Sequence, residues 1–339
     1  MRAAATRASR AIFSYRDAPA RAFVSQPHPR VEDSDDELVS AGHFFAPRAS
    51  SSSFAAMSST EAPGENSIGF IGCGQMSGAL LRGFLSAGLR KPEDASACVR
   101  SPASRAALER LSIREVHGDA LKGGAARVAQ GSRVLLLGVK PQGLPPVLEA
   151  LAPHVTPEHL IISVVAGAQL STLEKALGPH ARVARVMPNT PCLVGEGASA
   201  YALGSQATDA DAETIEELFG AVGLIVKVEE WQMDAVTGVS GSGPAYAFTA
   251  IDALADGGVA AGLPRATAIK LAAQTLLGAA TMVLKSDPEG ITHPAVLKDR
   301  VASPAGTTIA GVAALEQAGV RNAFIQAVKA AAARSKELS

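Results

Sequence analysis

The stretch Ser67-Ile-Gly-Phe-Ile-Gly72-Cys-Gly74-Gln-Met-Ser77-Gly-Ala-Leu-Leu constrains the fold of this chain more than any other. An apolar run, Ile68–Ile71, reads as a strand buried on both faces of a parallel sheet. A glycine turn follows, then an amphipathic helix over about Met76–Ser86. The pattern Gly72-x-Gly74-x-x-Ser77 is a variant of the dinucleotide fingerprint. Gly72 permits the tight turn. Gly74 lacks a Cβ, so a pyrophosphate can approach the backbone, and Ser77 is small where helix packs on strand. The helix start would aim free N–H groups and the positive dipole end at the phosphates. Such a motif alone also fits a plain structural turn. The strand before it and the helix after it favour a nucleotide.

From Ile68 onward, strand and helix patterns alternate. Strands are expected at Ala95–Val99, within Val116–Ala129, and at Arg133–Val139, His159–Ala166, Ala181–Met187, Gly197–Ala202 and Leu224–Val228. Helices are expected at Ala103–Leu111, Leu144–Ala150, Ser171–Leu177 and Asp209–Phe219. This alternation argues an α/β class, with a doubly wound, mostly parallel sheet. After Glu230 the strand pattern stops. Trp231–Thr237 reads as helical, Ser242 is placed to cap the next helix, and Pro244 fits its first turn. Helices to about Ala261 and over Arg265–Leu284, Pro294–Val301, Ile309–Ala318 and Asn322–Glu337 make an all-α second part. Its wide, Ala-rich apolar faces are expected to be buried in another subunit. The expected organisation is thus an N-terminal extension over 1–65, a nucleotide-binding domain over 66–230 and a helical domain over 231–339.

The extension is compositionally distinct. Residues 1–30 carry Arg2, Arg7, Arg10, Arg16, Arg21 and Arg30 against one acid, Asp17, in an Ala/Ser-rich background. That is the composition of a transit peptide for a mitochondrion or plastid. The acidic run Glu32–Glu37 fits no targeting helix. A tail without an address, in a cytoplasmic protein, is the alternative. The remainder excludes several classes. A formal net charge of −1 and 4% aromatics give no footprint for a nucleic-acid partner. Cys73, Cys98 and Cys192 are widely spaced, which argues core thiols and not a disulfide framework or metal knuckle. The seven histidines lack metal-ligand spacing, so no metal is expected. The uncharged windows at Ala235–Ile251 and Val301–Leu315 are too short and too broken to span a membrane.

Loops at the carboxyl ends of the strands should line a cofactor crevice. They are Gly72–Ser77, Arg100-Ser101, Val139-Lys140-Pro141, Ala166-Gly167 and Asn189-Thr190. A free ribose 2′-hydroxyl is usually held by an acid at the end of the second strand. Here Arg100 and Ser101 stand there, a cation and a hydroxyl suited to a 2′-phosphate. NADPH is therefore expected, with NADH open. Lys140 reads equally as a ribose contact or a strand-end charge. A second loop, Ser303-Pro-Ala-Gly306-Thr307-Thr308, immediately precedes a helix. Its N–H groups at Gly306, Thr307 and Thr308 suit a carboxylate, or serve as an ordinary helix cap. No His, Glu or Tyr sits in a recognisable acid–base motif. That absence suits imine reduction, because a protonated imine accepts hydride with little acid catalysis beyond positioning and exclusion of water.

Over about residues 67–337 the chain closely resembles the pyrroline-5-carboxylate reductase family. The carrying stretches are Gly69–Met76, Gly138–Pro141, Arg185–Pro191, Asp234–Phe248, Ala255–Gly258, Gly262–Pro264 and Leu297–Thr308. The resemblance implies a Rossmann-type domain followed by an all-α dimerisation domain, in homodimers that assemble into larger homo-oligomers. It implies reduction of 1-pyrroline-5-carboxylate to L-proline with NAD(P)H. Gly72, Gly74, Gln75, Met76, Arg100, Ser101, Val139, Lys140, Pro141, Ala166, Gly167 and Asn189 are the expected cofactor residues. Ser303, Gly306, Thr307 and Thr308 would hold the substrate carboxylate, with Thr308 as candidate proton donor. Two positions depart from the family pattern. Ala305 replaces a frequent Gly, tolerable if its backbone angle is ordinary, and Arg300 replaces a frequent Asn or Asp. A reductase of a related cyclic imine, such as piperideine carboxylate, and a non-catalytic dinucleotide-binding protein are the alternatives.

Overall fold

The computed structural model describes residues 63–285 and 292–338. The transit-peptide reading falls on residues 1–62 and so lies outside them.

Eight strands form one sheet: β1 (Ile68–Ile71), β2 (Ala95–Cys98), β3 (Glu115–His117), β4 (Val134–Leu137), β5 (Leu160–Ser163), β6 (Arg182–Met187), β7 (Gly197–Leu203) and β8 (Gly223–Lys227). Their spatial order is β3-β2-β1-β4-β5-β6-β7-β8. All neighbours are parallel except β6 and β7, which are antiparallel. From β1 the chain moves outward to β2 and β3, then returns to place β4 on β1's other side. That reversal opens a crevice at the carboxyl ends of β1 and β4. The central strands are shorter than their apolar runs suggest. In β4 and β5 only the four fully paired residues are extended, and the flanking Val139 and Val164–Ala166 bend out as loops.

Helices cover both faces, as apolar strands buried on both sides require. Helices α1 (Gln75–Ser86), α2 (Pro102–Glu109) and α6 (Asp209–Gly220) pack one face, where Phe84 and Phe219 meet edge-to-face at 5.9 Å. Helices α3 (Gly124–Gln130), α4 (Leu144–Leu151), α5 (Leu170–Leu177) and the short α7 (Met233–Val236) pack the other.

Beyond β8 the described chain is helical. After α7 come α8 (Gly243–Ala260), α9 (Arg265–Lys285), α10 (Pro294–Val301), α11 (Thr307–Gln317) and α12 (Val320–Leu338). The expected start of α8 needs correction. Ser242 makes no side-chain cap; it has helical angles, φ −90° and ψ −20°. Between α7 and α8 the chain stays helical through one wide π turn, Thr237–Gly241, closed by the Ser242 N–H on the Thr237 carbonyl at 2.8 Å. The cause is Pro244. It has no N–H for the carbonyl four residues back, that of Ser240, and a helix adapts at such a point by widening.

The three cysteines are buried free thiols, as their spacing suggested. The membrane reading needs a qualification. Helix α9 is long and apolar enough to cross a bilayer by length and composition alone, although Arg265 and Lys285 bound it and Lys270 interrupts it.

Candidate active site

The crevice is built first by glycine. Gly72 has φ +81°, and a Cβ there would lie 2.6 Å from the Val139 side chain and 3.0 Å from its N. Only glycine lets β1 turn under β4 at that point. Gly74 is the N-cap of α1 and has open space where its Cβ would be. The first turn of α1 leaves the N–H groups of Gln75, Met76 and Ser77 without intrahelical acceptors, so this end of the helix offers donors and positive potential to an anion.

The resulting cleft has a volume of about 520 Å³. Gly72, Gly74, Arg100, Ser101, Val139 and Lys140 all line it, as expected from sequence. Among the described residues neither Arg100 nor Lys140 lies within ion-pair distance of a carboxylate, so both charges are available to a ligand. The Ser101 Oγ accepts the Ser104 N–H at 3.4 Å, capping α2, and its own hydrogen remains free to donate. Sequence reading missed Ser104, Asp119, Leu121, Pro146 and Val147, which also line the cleft. They come from the first turns after β2, β3 and β4, so strand order was the missing signal. Cys73 and Cys98 form part of the lining. Burial pushes the Cys73 thiol up to about 12 and that of Cys98 to about 11, so both stay protonated at neutral pH.

The remaining expected cofactor residues stand apart from this lining. Gln75 and Met76 open α1, and Pro141 opens the turn Pro141–Gly143 behind Lys140. Ala166 and Gly167, the latter at φ +76°, follow β5 at the same edge of the sheet. Asn189 is occupied elsewhere. Its Oδ1 accepts the Ala198 N–H at 2.9 Å, and its Nδ2 donates to the Ser240 carbonyl at 3.0 Å. That carbonyl is the one Pro244 leaves unpaired within the helix.

The second loop joins α10 to α11. The Gly306 N–H donates to the Ser303 carbonyl at 3.1 Å, which removes it from the donors expected to face a carboxylate. The Thr307 and Thr308 N–H groups open α11 and have no intrahelical acceptor. A Cβ on Gly306 would run into the Ser303 hydroxyl, so the glycine keeps this turn tight. Ala305 has φ +56°, which is not the ordinary angle its side chain requires. A left-handed alanine costs about 1–2 kcal/mol, and the frequent glycine of the family pattern is explained by that angle. Within one chain no residue of this loop lines the cleft.

Comparison with known proteins agrees with this geometry. Residues 230–338 match the family model for pyrroline-5-carboxylate reductase dimerisation, and residues 67–167 match that for coenzyme F420-dependent NADP oxidoreductases. The pyrroline-5-carboxylate reductase of Methanosarcina acetivorans is 48% identical over 272 residues, 80% of this chain and 97% of that protein. The Arabidopsis thaliana enzyme of the same name is 47% identical, over 80% and 95%. Among solved structures, Plasmodium falciparum pyrroline carboxylate reductase with NADP bound superposes with a TM-score of 0.70 at 32% identity, covering 80% of this chain and 97% of that one.

Proposed function

The chain belongs to the pyrroline-5-carboxylate reductase family, and from that premise we propose that it reduces 1-pyrroline-5-carboxylate to L-proline with NAD(P)H, the final step of proline biosynthesis. The observation that carries this is near-complete coverage of a reductase at 48% identity, with the Ser303–Thr308 loop intact. When bound, the nicotinamide supplies a hydride to the imine carbon of the protonated ring, and the C=N bond becomes the C–N bond of proline.

The residues divide the remaining work. The N-terminus of α1 and the open side of Gly74 suit the pyrophosphate. Arg100 and the Ser101 hydroxyl suit a 2′-phosphate, which favours NADPH. The Thr307 and Thr308 N–H groups, with the dipole of α11, hold the substrate carboxylate and so fix the ring. Thr308 Oγ1 is the candidate proton donor to the ring nitrogen. Its contribution is modest, because the imine nitrogen takes a proton readily from water. Arg300, at the end of α10, adds positive charge beside the same loop.

The chain forms homo-oligomers through its helical part, in keeping with the matched dimerisation model. We further place the Ser303–Thr308 loop and the dinucleotide cleft together only in the assembled oligomer, which accounts for their separation within one chain.

The test is direct. Purified protein given NADPH and pyrroline-5-carboxylate should oxidise the cofactor and yield proline in equal amounts. Absence of proline would end the proposal. Thr308→Ala should lower kcat by about tenfold, less than the roughly 10²–10⁴-fold of a typical general acid because water can also protonate the imine, and leave NADPH affinity unchanged. Unchanged kcat would remove Thr308 from the reaction. Sequencing the mature N-terminus reads the extension: cleavage ahead of Ile68 supports an organelle address, and an intact Met1 argues a cytoplasmic tail.

A further inference from the structure

Asp119 is the sole carboxylate among the residues that line the cleft. It follows β3, the outermost strand, and is held firmly. Its backbone carbonyl accepts the Lys122 and Gly124 N–H groups at 3.0 and 3.1 Å. Its Oδ1 accepts the Leu121 N–H at 3.1 Å, so the side chain caps the turn Ala120–Lys122. Gly124 is pressed against this loop: a Cβ there would lie 2.7 Å from the Asp119 carbonyl and 2.9 Å from Cys98 Cβ. Among the described residues no cation lies within ion-pair distance of Asp119. One carboxylate oxygen is therefore committed to the turn, and the acceptor capacity of the other is unspent.

The surroundings say what that acceptor can meet. The cations of the cleft, Arg100 and Lys140, follow β2 and β4. A phosphate belongs with them and is repelled by a carboxylate. Around Asp119 the lining is apolar instead, formed by Ala120, Leu121, Pro146 and Val147, with Leu121 half exposed. An apolar slot beyond the phosphate end of a dinucleotide site suits the flat purine. A carboxylate at its rim requires a donor, and the edge of adenine carries one, the exocyclic 6-amino group.

We infer that Asp119 accepts a hydrogen bond from the 6-amino group of the cofactor's adenine and makes the cleft selective for a 6-amino over a 6-oxo purine. The inference rests on the dinucleotide reading of the cleft and adds a specificity-determining residue to it. The 6-oxo analogue, reduced nicotinamide hypoxanthine dinucleotide phosphate, presents a carbonyl where NADPH presents N–H. Facing Asp119 it sets oxygen against oxygen, and a site built around a donor rejects the analogue that lacks it.

The experiment is equilibrium binding by titration calorimetry, with NADPH and its 6-oxo analogue, on full-length protein and on Asp119→Asn. The wild type should bind NADPH about tenfold more tightly than the analogue, as expected for a hydrogen bond to a charged group. In Asp119→Asn the amide oxygen still caps Leu121, and a donor now faces the base. The preference should fall to parity or invert toward the 6-oxo compound. The ratio of the two affinities cancels any general effect of removing a negative charge near the phosphates. Equal binding of both nucleotides to the wild type, or an unchanged ratio in Asp119→Asn, would overturn the inference and leave the cofactor reading standing. If neither nucleotide binds the wild type, the cofactor reading fails and takes the inference with it.

Discussion

At the scale of single residues, the glycine motif is tuned by what packs behind it. Ser77 Oγ is buried and has no hydrogen-bond partner among the described residues. It fills the space that a side chain at Gly138 would take: a Cβ built on Gly138 falls onto Ser77 Oγ and lies 2.8 Å from the Gly72 carbonyl. The two positions therefore share one volume. Gly138→Ala should cost about 1–3 kcal/mol by overpacking. Ser77→Ala, which only removes an unpaired hydroxyl, should be near neutral. In the double variant Ser77→Ala should recover at least about 0.5 kcal/mol of the Gly138→Ala loss. Recovery is partial because the Gly72 carbonyl stays in place. Strict additivity in urea unfolding would contradict the shared volume. The cysteines give a pH signature. Burial raises the folded Cys98 and Cys73 thiols to about 11 and about 12, from an ordinary value of 9.0. The unfolded thiols thus lose protons first. Their contribution to stability is whole below pH 9.0 and is lost as pH rises toward those values. Once the unfolded thiols are ionised, each steepens the decline by about 1.4 kcal/mol per pH unit. Replacing both by Ala should make the stability curve flatter above pH 9.0, whatever the cavity cost at neutral pH. A parallel, merely lowered curve would place the titration elsewhere. Such pairings are hard to read from sequence. The motif residues themselves were legible, because Gly72 and Gly74 have one local purpose. The residue that shares its space with Ser77, Gly138, lies far along the chain, just past the end of β4.

At the scale of elements, most helices and strands announce themselves, and the junctions between them do not. The strand β1 matches its apolar run residue for residue, because its limits are set by its own sequence. The antiparallel turn from β6 into β7 follows from no local signal, and Pro244 accounts for the π turn only once the helix is seen to continue through it. Pro244 correctly marks the first turn of α8. The residues before it, however, stay helical where a cap was expected. Asn189 shows how that packing is held. Its buried amide spans from the Ala198 N–H to the Ser240 carbonyl and so joins β7 to the π turn. One donor and one acceptor of the amide are used in this way, which gives Asn189 a positioning role. Asn189→Asp keeps the acceptor for Ala198 but turns an oxygen toward the Ser240 carbonyl. It should destabilise by about 2–3 kcal/mol, the cost of an unpaired buried polar group. NADPH affinity, measured below the unfolding transition, should change less than about threefold. A loss of about tenfold or more with stability unchanged would return Asn189 to the cofactor residues named from sequence. The Ser303–Thr308 loop was legible in composition but not in conformation. The Gly306 N–H is spent within the turn, and Ala305 takes a left-handed angle that no alanine advertises.

At the scale of the whole molecule, the sheet and the helical part differ in what they bury. The sheet encloses large side chains on both faces, Phe70, Phe84, Phe219 and Tyr201 on one and Leu135, Leu137 and Leu151 on the other. The core of the helical part within one chain is Ala255, Ala268 and Ala272. Its larger apolar residues remain outside: Phe248 is 64% exposed, Leu277 55%, Leu284 65% and Ile325 55%. Three alanines hold little hydrophobic free energy. Covering one leucine fully contributes about 1.5–3 kcal/mol, so these helices gain most of their stability from outside the chain. Two kinds of cover fit α9, a second copy or a bilayer, and the two differ in consequence. Lys270 within the helix and the polar residues on its neighbours favour protein, as does the matched dimerisation model over residues 230–338. Leu277 and Leu284 stand seven apart, so they share one face of α9. Changing both to Glu should leave the sheet intact, and NADPH should still bind. It should weaken self-association by at least about tenfold in sedimentation equilibrium, because two charges would enter an apolar contact. If the Ser303–Thr308 loop meets the cleft only in the assembly, as proposed, reductase activity should then fall at low protein concentration and recover at high concentration. If the mass distribution is unchanged, this face of α9 is not an interface. If the wild type instead floats with lipid vesicles, the bilayer is the cover and the oligomer must be held by other helices.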